Sequence, residues 1–530
     1  MKILITDPID DKAVEHLRER GLEVDIETGF SSEELIQRIG DYDGLIIRSG
    51  TTVGFEVIEA SHLQVIGRAG VGIDNIDLDA ATRKGIAVMN TPTGNTNAAV
   101  EHTWALLLSM ARKVPAADAS LRSGAWKRTD FVGVELYGKT LGIIGLGRIG
   151  SRVATRGRAF GMDVVGFDPF VNEKREKELG IELVSLDDLF SRSDFISLHV
   201  PRLPETEGLI SADRMARMKR GACLINCARG GLVDEEALAE AVKSGHLGGA
   251  ALDVYQNEPL SPQSPLLEVP DIVLTPHLGA STVEAKLQVG LQIARQVGDA
   301  LQRGIFREAV NLPVRDWATF DRLRPWFSLA ERLGCLAAQF VEGATSKIRV
   351  EFGGHGFEEM DSILGACLKG FLQPVMGKEV NAINASVLAT ERGLEIDSVT
   401  TGPSSGYSML LSLEVDSEDG THRFSGTIFQ DRMERVVHVD GYDMEFEPLH
   451  CLLFFRNYDR PGVIGAVGSH LGQGGTNIAQ FQLGRNAPGG VAMAVLNLDS
   501  PASLATLESL RGIENMQTVR QIVLGSSREY

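Results

Sequence analysis

Cysteine is scarce in this sequence: five in 530 residues (Cys223, Cys227, Cys335, Cys367 and Cys451), odd in number and scattered. With no CxxC and no Cys/His cluster at zinc spacing, neither a disulfide framework nor a bound metal is expected, and the thiols read as reduced packing residues. Long apolar runs are also missing. No stretch approaches the ~20 apolar residues that a membrane span requires. The apolar run in the opening MKILITDPID is too brief for a signal peptide, so the expected location is cytoplasmic. Positive charge is in deficit, with 52 basic against 71 acidic residues and a formal net charge of −19, which argues against a nucleic-acid partner. No internal repeat or low-complexity tract is evident. What is present is ordinary for a globular protein, 43% hydrophobic and 23% charged. The length predicts three or four domains.

One stretch organises the rest: KTLGIIGLGRIGSRVATRGRAFGMDVVGFDP, Lys139 to Pro169. An apolar run enters Gly145-Leu146-Gly147-Arg148-Ile149-Gly150, a helical segment follows, and a second apolar run ends in Asp168. In a dinucleotide fold Gly145 allows the sharp turn, Gly147 lets the backbone approach a pyrophosphate, and Gly150 lets helix and strand pack closely. The helix N-terminus offers N–H groups and partial positive charge to phosphates. Asp168 lies 18 residues past Gly150, where a carboxylate binds ribose hydroxyls. That acid would repel the extra phosphate of NADP, and Pro169-Phe170-Val171-Asn172 supplies no cation for it, so NAD is the expected cofactor. A βαβ unit with a tight turn and no ligand is the plainer alternative.

Around this unit the pattern is α/β. Continuous apolar runs at Gly44 to Arg48 and Val65 to Arg68 suit parallel strands buried on both faces. Thr96 to Lys113 reads as a long amphipathic helix, and Val283 to Arg303 as a helix leading back to the first fold. We expect a substrate-binding domain over 1–95 and 285–313, interrupted by a nucleotide domain over 96–284. Ser32 is expected to cap a helix over Glu33 to Gly40. Asn311 to Trp326, with two prolines and alternating charges, reads as a break, followed by a helix over 328–342, a strand at Lys347 to Phe352, further helices, and strands from Met409 to Phe446. The last segment, Cys451 to Val523, reads βαββαβ, the ferredoxin-like order.

Moving a hydride from a secondary alcohol to a nicotinamide needs a base, a group that tunes it, and a cation for the substrate. Three residues follow strand ends in the nucleotide domain: Arg229 in NCARGG, Glu258 in ALDVYQNEP and His277 in TPHLGAS. Taken singly, they are more simply a surface arginine in a turn, a solvated loop acid and a capping or core histidine. Taken together they form a site, because a carboxylate beside an imidazole favours the imidazolium, and a guanidinium flanked by glycines can grip a carboxylate with two hydrogen bonds. The other ten histidines, His102 among them, are not expected to be catalytic.

GLGRIG with Asp168, CARGGLVDEEAL, ALDVYQNEP and TPHLGAST resemble the D-isomer-specific 2-hydroxyacid dehydrogenases over about residues 1–313. The resemblance implies a Rossmann-type sheet inserted in a flavodoxin-like substrate domain. It implies Arg229, Glu258 and His277 as catalytic residues, and Gly145, Gly147, Arg148, Ile149, Gly150, Asp168, Val200, Cys227, Ala228, Asp253 and Gly279 as cofactor-binding residues. GRAGVGIDNIDL and VMNTPTGNTNAAVEHT resemble the branch that oxidises a phosphorylated hydroxy acid in the making of L-serine. A phosphate beside a carboxylate calls for further cations, and Arg48, Arg68 and Arg128 are the candidates. Residues 317–447 resemble the intervening α+β domain of the long forms of this branch, with no ligand named by sequence. Residues 449–530 resemble an ACT domain, which implies an L-serine effector on Asn457, Asp459 and Asn477 and pairing of subunits into a homodimer or homotetramer. A sister reductase acting on hydroxypyruvate, glyoxylate or 2-hydroxyglutarate stays open at this stage, as does a non-catalytic NAD-sensing scaffold.

Overall fold

The computed structural model describes the chain except residues 172, 313–316, 358, 403–405, 431 and 525–530. It forms two compact units, one of Met1–Thr91 with Gln292–Tyr530, the other of Pro92–Leu291.

The second unit is built on a seven-stranded sheet. Its order is Ile272–Leu274, Gly249–Leu252, Cys223–Asn226, Phe195–Leu198, Thr140–Ile144, Asp163–Phe167, Glu182–Leu183. Every pairing is parallel. The central strands are buried on both faces, which is why they read as unbroken apolar runs. Strand order reverses between Thr140–Ile144 and Phe195–Leu198, and in such sheets ligands bind outside the carboxyl ends at that reversal. Helix Thr96–Ala111 is buried around most of its circumference rather than amphipathic as the sequence suggested. Trp104 on that helix stacks on Phe160 at 4.8 Å between centroids.

The other unit contains a five-stranded parallel sheet in the order Glu23–Ile26, Lys2–Ile5, Gly44–Ile47, Val65–Arg68, Ala87–Met89, the flavodoxin-like arrangement. Helix Val283–Arg303 packs on this sheet through its second half, from Ile293 to Leu301. A Cβ on Gly67 would stand 2.6 Å from Val297 Cγ2, so only glycine admits the helix this close. Ser31, not Ser32, caps the helix Ser32–Arg38. It forms a capping box with Glu34, which places the first helical residue one position earlier than expected.

A six-stranded sheet follows in the order Glu395–Thr401, Thr345–Gly354, Met409–Ser417, Gly420–Phe429, Met433–Val439, Tyr442–Phe446. Its first pair is parallel and the rest antiparallel. Two helices, Trp317–Phe340 and Met360–Met376, touch where a Cβ on Gly334 would lie 2.0 Å from the Cys367 carbonyl oxygen and one on Gly370 1.9 Å from that of Glu331. The expected break at Asn311 to Trp326 therefore runs into a helix from Trp317 onward with Pro325 inside it, and residues 313–316 of that break lie outside the described residues. The last sheet, in the order Ile478–Arg485, Val491–Leu498, Cys451–Tyr458, Met516–Val523, is fully antiparallel and has the ferredoxin-like order. Among the described residues no helix is long and apolar enough to cross a membrane.

Candidate active site

Strand Thr140–Ile144 ends at Gly145, whose φ of 92° is in the left-handed region that glycine tolerates. A Cβ there would meet the His199 carbonyl oxygen at 2.5 Å, and one on Gly150 would meet the Gly145 carbonyl oxygen at 1.9 Å. Gly147 has nothing within 4 Å of a hypothetical Cβ, so its backbone is open to an incoming group. Helix Gly150–Ala159 begins without a side-chain cap. An uncapped helix start beside an open glycine turn fits a pyrophosphate. Asp168 is held at the same turn, its two oxygens accepting from the Leu146 N–H at 2.8 Å and the Phe170 N–H at 2.9 Å. Arg148 is exposed and donates to the Pro92 carbonyl at 3.2 Å, while Ile149 and Val200 are half-buried. Asn172, part of the cation-free stretch after Asp168, lies outside the described residues.

Arg229, Glu258 and His277 follow three neighbouring parallel strands, Cys223–Asn226, Gly249–Leu252 and Ile272–Leu274, so their loops share one edge of the sheet. His277 Nδ1 and Glu258 Oε2 are 2.7 Å apart. Glu258 Oε1 also accepts from the Tyr255 N–H at 3.1 Å. Burial pushes the Glu258 carboxyl up, but the hydrogen bonds from His277 and the Tyr255 amide outweigh it and hold the acid below the usual carboxylate range. Tyr255 ties the loops together. Its hydroxyl donates to the Thr275 carbonyl at 2.9 Å, and its own carbonyl oxygen lies 1.7 Å from where a Cβ on Gly230 would sit. The Arg229 loop therefore lies directly against the Glu258 loop. Asn226 Nδ2 donates to the Arg229 carbonyl at 2.9 Å and the guanidinium to the Ala228 carbonyl at 2.7 Å, which fixes the turn. His277 adopts φ 55°, a conformation that non-glycine residues seldom take and that needs local support.

That support comes from Asp253, which is 1% exposed. Its carbonyl accepts from the His277 N–H at 2.9 Å. Its Oδ1 accepts from the Leu278 N–H at 2.7 Å and the Thr275 hydroxyl at 2.6 Å, and its Oδ2 from the Gly279 N–H at 2.8 Å. His102 Nε2 also lies 3.0 Å from Oδ1. Burial pushes the Asp253 acid up, and the bonds from His102, Thr275 and Leu278 bring it below its ordinary value. The Cys227 thiol lies 3.7 Å from Asp253 Oδ2, and burial together with that carboxylate pushes its pKa up. His102, Cys227 and Asp253 place ligand atoms within 4.8 Å of one another, a grouping with no counterpart in the sequence reading. Both Asp253 oxygens are already turned to backbone N–H groups, so a cation would have to displace them. His102 had no signal in the sequence because its partner is 151 positions away.

Arg68 ends strand Val65–Arg68 and folds over Gly70, where a Cβ would lie 1.7 Å from its Nη1. The Arg48 N–H donates to Asp7 at 2.6 Å, and its guanidinium lies 3.4 Å from the Pro8 carbonyl. Arg128 opens the short helix Arg128–Phe131 and is exposed. In the last domain Asn457 is buried, its Nδ2 donating to the Tyr458 carbonyl at 2.7 Å, and its Oδ1 accepts no hydrogen bond from the described residues. Asp459 accepts from Arg485 at 3.0 Å and the Gly489 N–H at 3.3 Å, and Asn477 donates to Asp499 at 2.7 Å.

A dinucleotide turn at a sheet reversal, with a His–Glu pair and an arginine on the neighbouring strand ends, defines a nicotinamide-dependent dehydrogenase of hydroxy acids. Comparison with known proteins narrows this. Residues 104–279 match the family model for the NAD binding domain of D-isomer specific 2-hydroxyacid dehydrogenase, and residues 322–440 match that for the D-3-phosphoglycerate dehydrogenase intervening domain. The chain is 42% identical over 520 residues to the D-3-phosphoglycerate dehydrogenase of Archaeoglobus fulgidus, covering 97% of this chain and 98% of that one. It is 41% identical over 527 residues to that of Methanocaldococcus jannaschii, covering 99% and 100%. Among solved structures, the TT0316 protein of Thermus thermophilus is 40% identical with a TM-score of 0.55, covering 58% of this chain and 100% of that one. A D-lactate dehydrogenase of Aquifex aeolicus, solved with NAD and lactic acid, is 29% identical with a TM-score of 0.52, covering 58% and 97%. The chain belongs to the D-3-phosphoglycerate dehydrogenase family of the D-isomer-specific 2-hydroxyacid dehydrogenases. Its cofactor is NAD.

Proposed function

We propose that the protein oxidises D-3-phosphoglycerate to 3-phosphooxypyruvate with NAD, the entry step of phosphorylated L-serine synthesis, in the cytoplasm. The observation that carries this reading is the 2.7 Å pair of His277 and Glu258 on loops packed against that of Arg229. With Nδ1 engaged by Glu258, Nε2 of His277 takes the substrate hydroxyl proton. Arg229 grips the carboxylate and steadies charge on the oxygen as the C=O bond forms. NAD, when bound, accepts the hydride lost from the same carbon. Gly145, Gly147, Arg148, Ile149, Gly150 and Asp168 hold the adenosine and pyrophosphate end. Val200, Cys227, Ala228, Asp253 and Gly279 line the rest.

Arg48, Arg68 and Arg128 take the substrate phosphate, and Asn457, Asp459 and Asn477 bind an L-serine effector in a homodimer or homotetramer. The domains run over 1–95 with 285–313, 96–284, 317–447 and 449–530. Following NADH at 340 nm with 3-phosphoglycerate, with and without L-serine, tests the reading. No NADH formed from the phosphorylated acid, but NADH formed from 2-hydroxyglutarate or consumed by hydroxypyruvate, would replace the substrate. Serine inhibition that survives Asp459→Ala would remove the effector assignment.

A further inference from the structure

Nothing in the order of residues singles out His102, yet its imidazole meets the hub of the His277 loop. Nε2 lies 3.0 Å from Asp253 Oδ1 and 3.2 Å from Thr275 Oγ1. The direction of these bonds follows from charge. Ionised Asp253 only accepts, and Thr275 spends its own proton on Oδ1 at 2.6 Å. The remaining proton must therefore be on His102 Nε2, shared between the two oxygens. With the N–H groups of Leu278 and Gly279, Asp253 accepts from four N–H and O–H donors at once, three of them on Oδ1, besides the Cys227 thiol on Oδ2. Two of the four belong to the backbone that follows His277, and the Asp253 carbonyl holds the His277 N–H itself. A left-handed φ at a histidine persists only where its surroundings impose it, and these are the bonds that impose it here.

His102 brings something that the loop cannot supply. It stands on helix Thr96–Ala111, which is buried along most of its length, so its ring is anchored on a rigid element. Thr275, Leu278 and Gly279 all belong to the same segment as His277 and can move with it. Of the groups that bond the Asp253 carboxylate oxygens among the described residues, His102 and Cys227 lie outside that segment, and the thiol at 3.7 Å is a weak donor. The alternative use of this cluster, a metal held by His102, Cys227 and Asp253, would strip the carboxylate from the backbone it holds.

Building on the assignment of His277 as acid/base, we infer that His102 is a positioning residue of the reaction: by clamping Asp253 to a buried helix it holds the Leu278–Gly279 backbone, and with it the His277 ring, in line with Glu258. It touches no reacting atom. Its loss acts on the alignment of His277 rather than on substrate affinity.

The test compares His102→Leu, which keeps bulk and removes the donor, with His102→Gln, whose amide nitrogen can reach the position of Nε2. For His102→Leu the expected result is kcat lower by about 10- to 100-fold, the range set by losing one hydrogen bond to a charged group. KM for 3-phosphoglycerate and the affinity for NADH, read by fluorescence, should stay within about threefold. His102→Gln should recover most of the rate. If His102→Leu does not fold, Thr275→Val removes another donor to the same oxygen and is expected to lower kcat in the same way. A leucine variant with kcat within twofold of the parent, a loss confined to KM, or a glutamine variant as slow as the leucine one would overturn the inference. A parent enzyme that forms no NADH from 3-phosphoglycerate would instead sink the reading of function on which this one rests.

Discussion

Asp253→Asn is the substitution whose consequence the structure specifies most fully. The change keeps shape and replaces one acceptor oxygen by a donor NH2 group. If that group takes the Oδ2 position, it faces the Gly279 N–H at 2.8 Å; at Oδ1 it faces the Leu278 N–H at 2.7 Å. The Thr275 hydroxyl can rotate and His102 can change tautomer, but a backbone N–H can do neither. Either orientation strands one buried backbone donor, which costs about 1–3 kcal/mol. The bonds that remain lose the charge that made them about twice as strong as neutral ones. Together these give about 2–4 kcal/mol, spent on the loop that holds His277 at φ 55°. Expressed in the transition state, that is a fall in kcat/KM of about 30- to 1,000-fold. Steady-state NADH formation reads it, with thermal melting run alongside to show that the variant is folded. A folded Asp253→Asn enzyme within threefold of the parent would refute the idea that this carboxylate organises the loop.

Other expectations follow from single contacts. Gly150→Ala puts a methyl 1.9 Å from the Gly145 carbonyl oxygen and must push the helix start off the turn. NADH affinity should fall about 5- to 150-fold, by the 1–3 kcal/mol of overpacking, and an unchanged fluorescence titration would remove this turn from cofactor binding. His199 is half-buried beside the same turn, and burial pushes its pKa down to about 3. The unfolded chain therefore binds more protons below about pH 6.5, and stability present above that value is lost as pH falls toward the folded one. From about pH 7.5 to 5 this group alone should remove about 2 kcal/mol, a loss that His199→Asn would abolish and that equal pH slopes for the two proteins would deny. Glu258, held below its ordinary range, contributes stability that is present above about pH 4.5 and lost as pH falls through its folded value. The parent should therefore exceed Glu258→Gln in melting temperature at neutral pH and converge with it in acid. A constant gap would mean that the His277 pair is not what stabilises the carboxylate.

The parallel strands were legible because burial on both faces leaves an unbroken apolar run, as in Leu141 to Ile144, and the turn was legible because Gly145 and Gly150 each meet a steric demand while Gly147 leaves the backbone open. Helix Trp317–Phe340 was half hidden by Pro325. A proline inside a charged stretch reads as a breaker, although Leu323, Trp326, Phe327, Ala330 and Leu333 are buried at helical spacing around it. Strand Glu395–Thr401 escaped notice because it is an edge strand, half-exposed along its length and without clean alternation, whose pairing with Thr345–Gly354 comes from far away in sequence. Within the site, Glu258 and His277 are 19 positions apart and carry recognisable flanks, so their pairing could be anticipated. Asp253 could be named but its task could not, since four donors converge on it only in three dimensions.

In the proposed mechanism the imidazole of His277 is the group on which the chemistry turns. Replacing it by alanine removes the proton acceptor while leaving the dinucleotide turn untouched. Turnover of 3-phosphoglycerate at 340 nm should drop by about 100- to 10,000-fold, the contribution of a positioned general base, with NADH still bound at the parent's affinity. Turnover within a few fold of the parent enzyme would contradict the assignment of His277 as the acid/base.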